Sequence, residues 1–136
     1  MSKFSIENTV EINAPVAQVW RVFTDPALAR QMGGEYVSDW EVGSSLRWKG
    51  LDGQLLTNGM IMKIEPEKLL QHTLLDAVGS TGSVITYELD EKDNVTTVHA
   101  QEDFTNPITD VEYKDAAEGW EAALRALKET AERQNR

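Results

Sequence analysis

The stretch TDVEYKDAAEGWEAALRALKETA, residues 109–131, decides the fold. Its opening, Thr109-Asp110-Val111-Glu112, has the form of a capping box: the Thr hydroxyl accepts from the amide three residues on, and the Glu side chain reaches back. Asp110 and Glu112 also complement the positive end of a helix dipole. Tyr113, Ala116, Ala117, Trp120, Ala123, Leu124, Leu127 and Ala131 then recur at helical spacing on one face. Glu121–Arg125 and Glu129–Arg133 sit at i,i+4 on the other side. A helix of about 22 residues, rising about 1.5 Å each, is roughly 33 Å long, enough to cross a whole sheet.

Upstream of this helix the pattern is mostly that of strands. Phe4, Ile6, Val10 and Ile12 alternate with Glu7, Thr9 and Glu11, as in a half-buried strand. The period switches at Asn13-Ala14-Pro15, and Val16, Val19, Trp20 and Phe23 form one stripe of a short helix. Asp25-Pro26 starts a second short helix that carries Leu28 and Met32 and stops at Gly33-Gly34. Leu46 and Trp48 then alternate with polar neighbours up to the hairpin signal Asp52-Gly53. A longer strand over residues 55–65 ends at the turn Pro66-Glu67-Lys68. Leu70, His72 and Leu74 share a face in the next strand, Ile85, Tyr87 and Leu89 in another, and the chain returns from Thr96 to Phe104. Short turns make these strands antiparallel. The expectation is an α+β fold: a curved antiparallel sheet of about seven strands wrapped around the C-terminal helix, with two short helices after the first strand. One helix with a narrow stripe of alanines covers a wide sheet only if the sheet curls around it, which tends to leave space between them.

The 136 residues suit a single domain, 1–136, with no metal or disulfide staple. There is no cysteine, which removes thiolate catalysis, zinc–thiolate sites and iron–sulfur clusters. A net charge of −10 with no basic cluster argues against nucleic acid and anionic membranes as partners. The N-terminal segment alternates, so no signal peptide is expected, and no apolar run has the length of a membrane span. These features suggest a cytoplasmic protein. The glycines are dispersed, with neither a phosphate loop nor a dinucleotide fingerprint, and no cofactor is expected.

Several motifs together resemble a known family. They are Ile12-Asn13-Ala14-Pro15 with Val19-Trp20, Thr24-Asp25-Pro26, Val42-Gly43, Asp52-Gly53 and Gly59 seven residues before Pro66. Leu70 with Thr73, then Thr86, Thr96, and Gly119-Trp120 with Leu124 and Leu127 complete the set. In order and spacing the chain resembles the heat-shock protein 90 ATPase activator homologue family, within the superfamily of START lipid-transfer, birch-pollen-allergen and polyketide-cyclase domains. The resemblance spans nearly the whole chain. It implies a helix-grip fold with a ligand cavity between sheet and C-terminal helix, and much less about activity. The chain departs from the family pattern at Leu74, often aromatic there, and at Met32-Gly33-Gly34, where many members carry a Trp.

The expected cavity wall consists of Trp48, Met60, Met62, His72, Tyr87, Phe104, Trp120 and Leu124. Met60 and Met62 are assigned inward because Lys63, on the alternate face, is charged; Ile61 then faces outward, beneath a short helix. His72 reads either as a core histidine bonded to a neighbour or as a pocket histidine that hydrogen-bonds a ligand or acts as a general base. Tyr87 reads either as core or as a phenol that orients a ligand. His99 takes the outward phase, so the two histidines do not share a metal. Glu102 has the inward phase with Val98 and Ala100 and is either a buried base or a solvated strand end. The leading function is that of a carrier or sensor of a small hydrophobic molecule. Two other classes stand beside it: a cyclase- or hydratase-type enzyme using the same pocket, and an interaction protein that stimulates a chaperone ATPase. No catalytic or metal-ligating residue is assigned.

Overall fold

The computed structural model describes residues 3–76 and 78–134; Met1 and Ser2, which begin the alternating N-terminal segment, lie outside it. Strand β1 (Lys3–Ile12) leads to helix α1 (Val16–Thr24) and helix α2 (Pro26–Ala29), which runs into a 3-10 turn over Arg30–Met32. Strands β2 (Gly34–Ser38), β3 (Ser45–Gly50), β4 (Leu55–Glu65), β5 (Leu69–Leu75), β6 (Thr81–Lys92) and β7 (Val95–Ile108) follow, then helix α3 (Asp110–Gln134). The sheet is antiparallel throughout, in the order β1-β7-β6-β5-β4-β3-β2. It curves around α3, which is the helix-grip arrangement.

The local chemistry behind each helix is visible. Thr109 and Glu112 close the capping box in both directions, with Glu112 N donating to Thr109 Oγ1 at 3.1 Å and Thr109 N donating to Glu112 Oε1 at 3.0 Å. These bonds hold the Glu112 carboxyl below its usual pKa. Asp25 caps α2, accepting from Ala27 N at 3.0 Å, with Pro26 in the first turn. Helix α1 follows Pro15, and its first amide, on Val16, donates at 2.6 Å to the Glu91 carboxylate at the far end of β6. A carboxylate there satisfies an orphan donor and complements the dipole.

The core lies between the concave face of the sheet and the helices. Ile12, Val19, Val22, Ile61, Leu70 and Val98 are fully buried. On α3 the burial concentrates at Leu124, Leu127, Thr130 and Ala131. Buried residues meet across the strands in register: Ile6 opposes Glu102, Glu102 opposes Ile85, Ile85 opposes His72, and His72 opposes Ile61. The next rung runs through Leu70, Tyr87 and Ala100.

Three expectations are corrected. In β4 the phase is reversed: Ile61 is completely buried, while Met60 and Met62 are 48% and 42% exposed on the outer face. A register shift between Ile61 and Lys63 lets Lys63 lie outward on the same strand, so the charge of Lys63 does not report the side of Met62. Phe4 is 60% exposed, because the pairing of β1 with β7 shifts between Lys3 and Ser5. Arg133 does not close the expected helix pair but donates to Gln31 Oε1 at 2.9 Å, tying the end of α3 to the 3-10 turn.

Candidate functional site

A cavity of about 270 Å³ lies between α3 and the sheet. Its floor is Tyr87 from β6, with Tyr36 from β2 and Trp48 from β3 at one side. Phe23 from α1 and Met32 from the 3-10 turn form a second wall. Helix α3 closes it with Trp120, Ala123, Leu124, Ala126 and Leu127. None of these side chains is ionisable as a carboxylate or a cation. The space exists because α3 presents alanines where larger residues would reach the sheet. That follows from the stripe of small residues in the sequence.

The aromatic rings are locked by edge contacts. Tyr87 meets Phe23 edge-on at 5.1 Å between centroids and Trp120 at 5.7 Å. Tyr36 meets Trp48 edge-on at 4.8 Å and Trp40 at 5.9 Å. Such pairs add modestly to the stabilisation from buried area and fix ring orientation. The Tyr36 and Tyr87 phenols lie close enough for each to influence the other's ionisation. Burial raises the pKa of both phenols, that of Tyr87 most, so both are neutral hydrogen-bonding groups at neutral pH.

Beyond Tyr87 the interior becomes polar. Glu102 accepts from Ser83 Oγ at 2.6 Å and from Trp120 Nε1 at 2.9 Å, so both of its oxygens are engaged. The His72 ring lies 6.3 Å from that of Tyr87, nearly parallel, and His72 is 5% exposed. Its Nδ1 is 2.8 Å from the Thr73 carbonyl oxygen. A carbonyl only accepts, so Nδ1 carries a proton. Burial is the largest influence on this imidazole and lowers its pKa, against the smaller opposing effects of Thr73 and Glu102. His72 is therefore the neutral Nδ1–H tautomer at neutral pH.

This has a consequence for stability. Because the folded pKa lies below the unfolded value of about 6.5, unfolded chains take up a proton that folded His72 refuses. The contribution of His72 is then lost progressively as pH falls below about 6.5 towards the folded pKa. Denaturant unfolding of wild type and His72→Phe at pH 7.5 and 5.5 is expected to show a stability difference that shifts in favour of the variant at the lower pH. A difference independent of pH would contradict it.

Of the residues expected at the site, Trp48, Tyr87, Trp120 and Leu124 line one cavity. His72 stands behind Tyr87 and does not line it. Phe104 lies on the rung beyond Glu102, opposite Ser83, outside the lining. Met60 and Met62 face outward and are corrected as pocket residues. Phe23, Tyr36 and Met32 were not expected in the wall. The helical stripe contained Phe23, but Tyr36 sits on β2, a five-residue edge strand with no clear alternation. His99 faces outward as expected, where its Nδ1 is 2.8 Å from Thr9 Oγ1. Among the described residues, no three His, Asp or Glu side chains gather as metal ligands, and no helix is long and apolar enough to cross a membrane.

Comparison with known proteins supports the architecture. The profile of the family described as Activator of Hsp90 ATPase homolog 1-like protein matches residues 13–132. Protein MLL2253 from Mesorhizobium loti is similar in structure, with a TM-score of 0.79 and 21% identity over 95% of this chain and 97% of that one. ChR145 from Cytophaga hutchinsonii gives a TM-score of 0.77 at 26% identity, over 98% of this chain and 97% of that one. The Aha1 dimer from Colwellia psychrerythraea gives 0.77 at 20% identity, over 96% and 97%. No curated protein matches the chain in sequence.

Proposed function

The chain belongs to the Activator of Hsp90 ATPase homolog 1-like protein family, and from that premise we propose that it binds a small, uncharged, ring-containing molecule in the cavity under α3. The carrying observation is the wall: five aromatic rings, Phe23, Tyr36, Trp48, Tyr87 and Trp120, surround about 270 Å³ with no charged side chain among the lining residues. Ligand sites are typically concave, mostly apolar and provided with a few placed polar groups. Here Tyr36 and Tyr87, both in the lining, supply the polar groups. The volume lies just below the roughly 300–1,000 Å³ of drug-sized pockets, which favours a molecule of one or two rings. Charged ligands are disfavoured, since an apolar wall offers no partner to offset their desolvation. Anions meet the further opposition of a net charge of −10.

The reading is tested by filling the space. Ala126 lines the cavity from α3. Ala126→Phe is expected to remain folded and to lose the rise in melting temperature that wild type shows with 1-naphthol. Saturation a hundredfold above Kd corresponds to a stabilisation of about 2.7 kcal/mol. An equal rise in the variant, or none in wild type, would contradict the proposal.

A further inference from the structure

Every buried polar side-chain group around the inner end of the cavity has its partner except one. Glu102 holds Ser83 and Trp120. His72 Nε2 is buried and, among the described residues, is the one buried side-chain nitrogen or oxygen without a hydrogen-bond partner. With Nδ1 donating to the Thr73 carbonyl, Nε2 of the neutral ring is a bare acceptor. A buried acceptor left unpaired costs about 1–3 kcal/mol, and such groups call for a specific explanation.

We propose that His72 Nε2 is the acceptor for a hydroxyl group of the bound molecule, so that the ligand is a hydroxylated arene rather than a plain hydrocarbon or an ether. The inference rests on the binding reading above and adds the ligand's functional group to it. Three observations carry it. The unpaired atom needs a donor, which excludes carbonyl, ether and carboxylate groups as its partner. The neighbouring acceptor is already partnered: each Glu102 oxygen accepts one hydrogen bond, from Ser83 and Trp120, whereas His72 Nε2 has none and gains most from a donor. His72 adjoins the cavity through Tyr87: the two rings lie 6.3 Å apart between centroids, and Tyr87 lines the cavity. Nε2 is closed off by protein atoms, so the proposal requires the Tyr87 ring to yield its edge contacts with Phe23 and Trp120 as the hydroxyl enters.

The test compares 1-naphthol with 1-methoxynaphthalene, which can accept but not donate. Affinities are measured by tryptophan fluorescence for wild type, His72→Phe and Tyr87→Phe. Wild type is expected to prefer the naphthol about tenfold, the scale of one hydrogen bond to a buried group. The preference should vanish in His72→Phe and persist in Tyr87→Phe, which separates the imidazole from the phenol. In parallel, the ¹⁵N resonance of His72 Nε2 in wild type should move on adding naphthol and stay in place with the ether, a readout independent of whether the variants fold. If both compounds bind wild type equally, or the preference survives in His72→Phe, the hydroxyl assignment is wrong while the cavity reading stands. If neither compound binds, the cavity reading fails and takes this inference with it.

Discussion

Gly59→Ala is expected to destabilise the protein by about 3 kcal/mol or more, at the severe end of the effects of adding one methyl group. Gly59 is a buried position in β4 where the strand crosses β5 unusually closely. A Cβ there would overlap the Thr73 carbonyl oxygen, and its carbonyl carbon lies 2.8 Å away. These are backbone atoms in the middle of a sheet, so neither can swing aside. The close approach is part of the pairing itself: Met60 N donates at 2.9 Å to the Thr73 side-chain hydroxyl, beside the register shift between Ile61 and Lys63. The same substitution at Gly119, on the exposed surface of α3 with no atom within 4 Å of a new Cβ, should instead stabilise by about 0.8–1.0 kcal/mol through helix propensity. Thermal melts of the two variants test this together. Opposite signs are expected, and a Gly59→Ala variant as stable as wild type would contradict the packing described at β4–β5.

Glu102→Leu should be nearly as costly, by about 2–4 kcal/mol, for a different reason. The carboxylate is the common acceptor for Ser83 Oγ and Trp120 Nε1. Leucine has a similar volume but leaves the buried Ser83 hydroxyl without its acceptor, at about 1–3 kcal/mol, and the half-buried Trp120 indole N–H without its own, at less. Glu102→Gln keeps one carbonyl oxygen and should fall between the two. Adding Ser83→Ala and Trp120→Phe to Glu102→Leu removes the orphaned donors and is expected to recover part of the loss, even though it deletes further side-chain atoms. Denaturant unfolding checks the order: wild type most stable, then Gln, then the triple variant, with Leu alone at the bottom. If Leu alone is as stable as Gln, the carboxylate does not hold Trp120. Loss of this anchor should also loosen the wall of the cavity, since Trp120 is the ring that α3 sets against Tyr87.

The helices were legible because their signals are local. A capping box, an Asp-Pro start and an apolar stripe each depend on residues a few positions apart, and Thr109, Asp25 and Leu124 behave as their patterns require. Strands with clean alternation were equally readable: Ile85, Tyr87 and Leu89 face inward together, as do Val98, Ala100 and Glu102. The failure at β4 has a physical origin. Residues 60–62 offer three apolar side chains in a row, so alternation cannot choose a face, and the nearest charge, Lys63, lies past a register shift. Phe4 fails for the same kind of reason at the start of β1. The cavity was legible in outline, as a wide sheet under a helix of small residues, but Tyr36 was not, because β2 is short and becomes part of the wall only through pairing with β3. The partnership of Glu102 with Trp120 is likewise invisible in sequence, where eighteen residues separate them.

Binding in the cavity under α3 is directly observable through the four tryptophans. In a ¹H–¹⁵N spectrum each of Trp20, Trp40, Trp48 and Trp120 contributes one indole N–H signal. Trp48 and Trp120 line the cavity, whereas Trp20 is buried on α1 outside the lining. On titration with 1-naphthol the Trp48 and Trp120 signals should shift progressively and saturate together, with that of Trp20 nearly stationary. If all four signals stay in place at a millimolar concentration of the arene, or if shifts appear only around Met60 and Met62 on the outer face, the cavity is not the binding site.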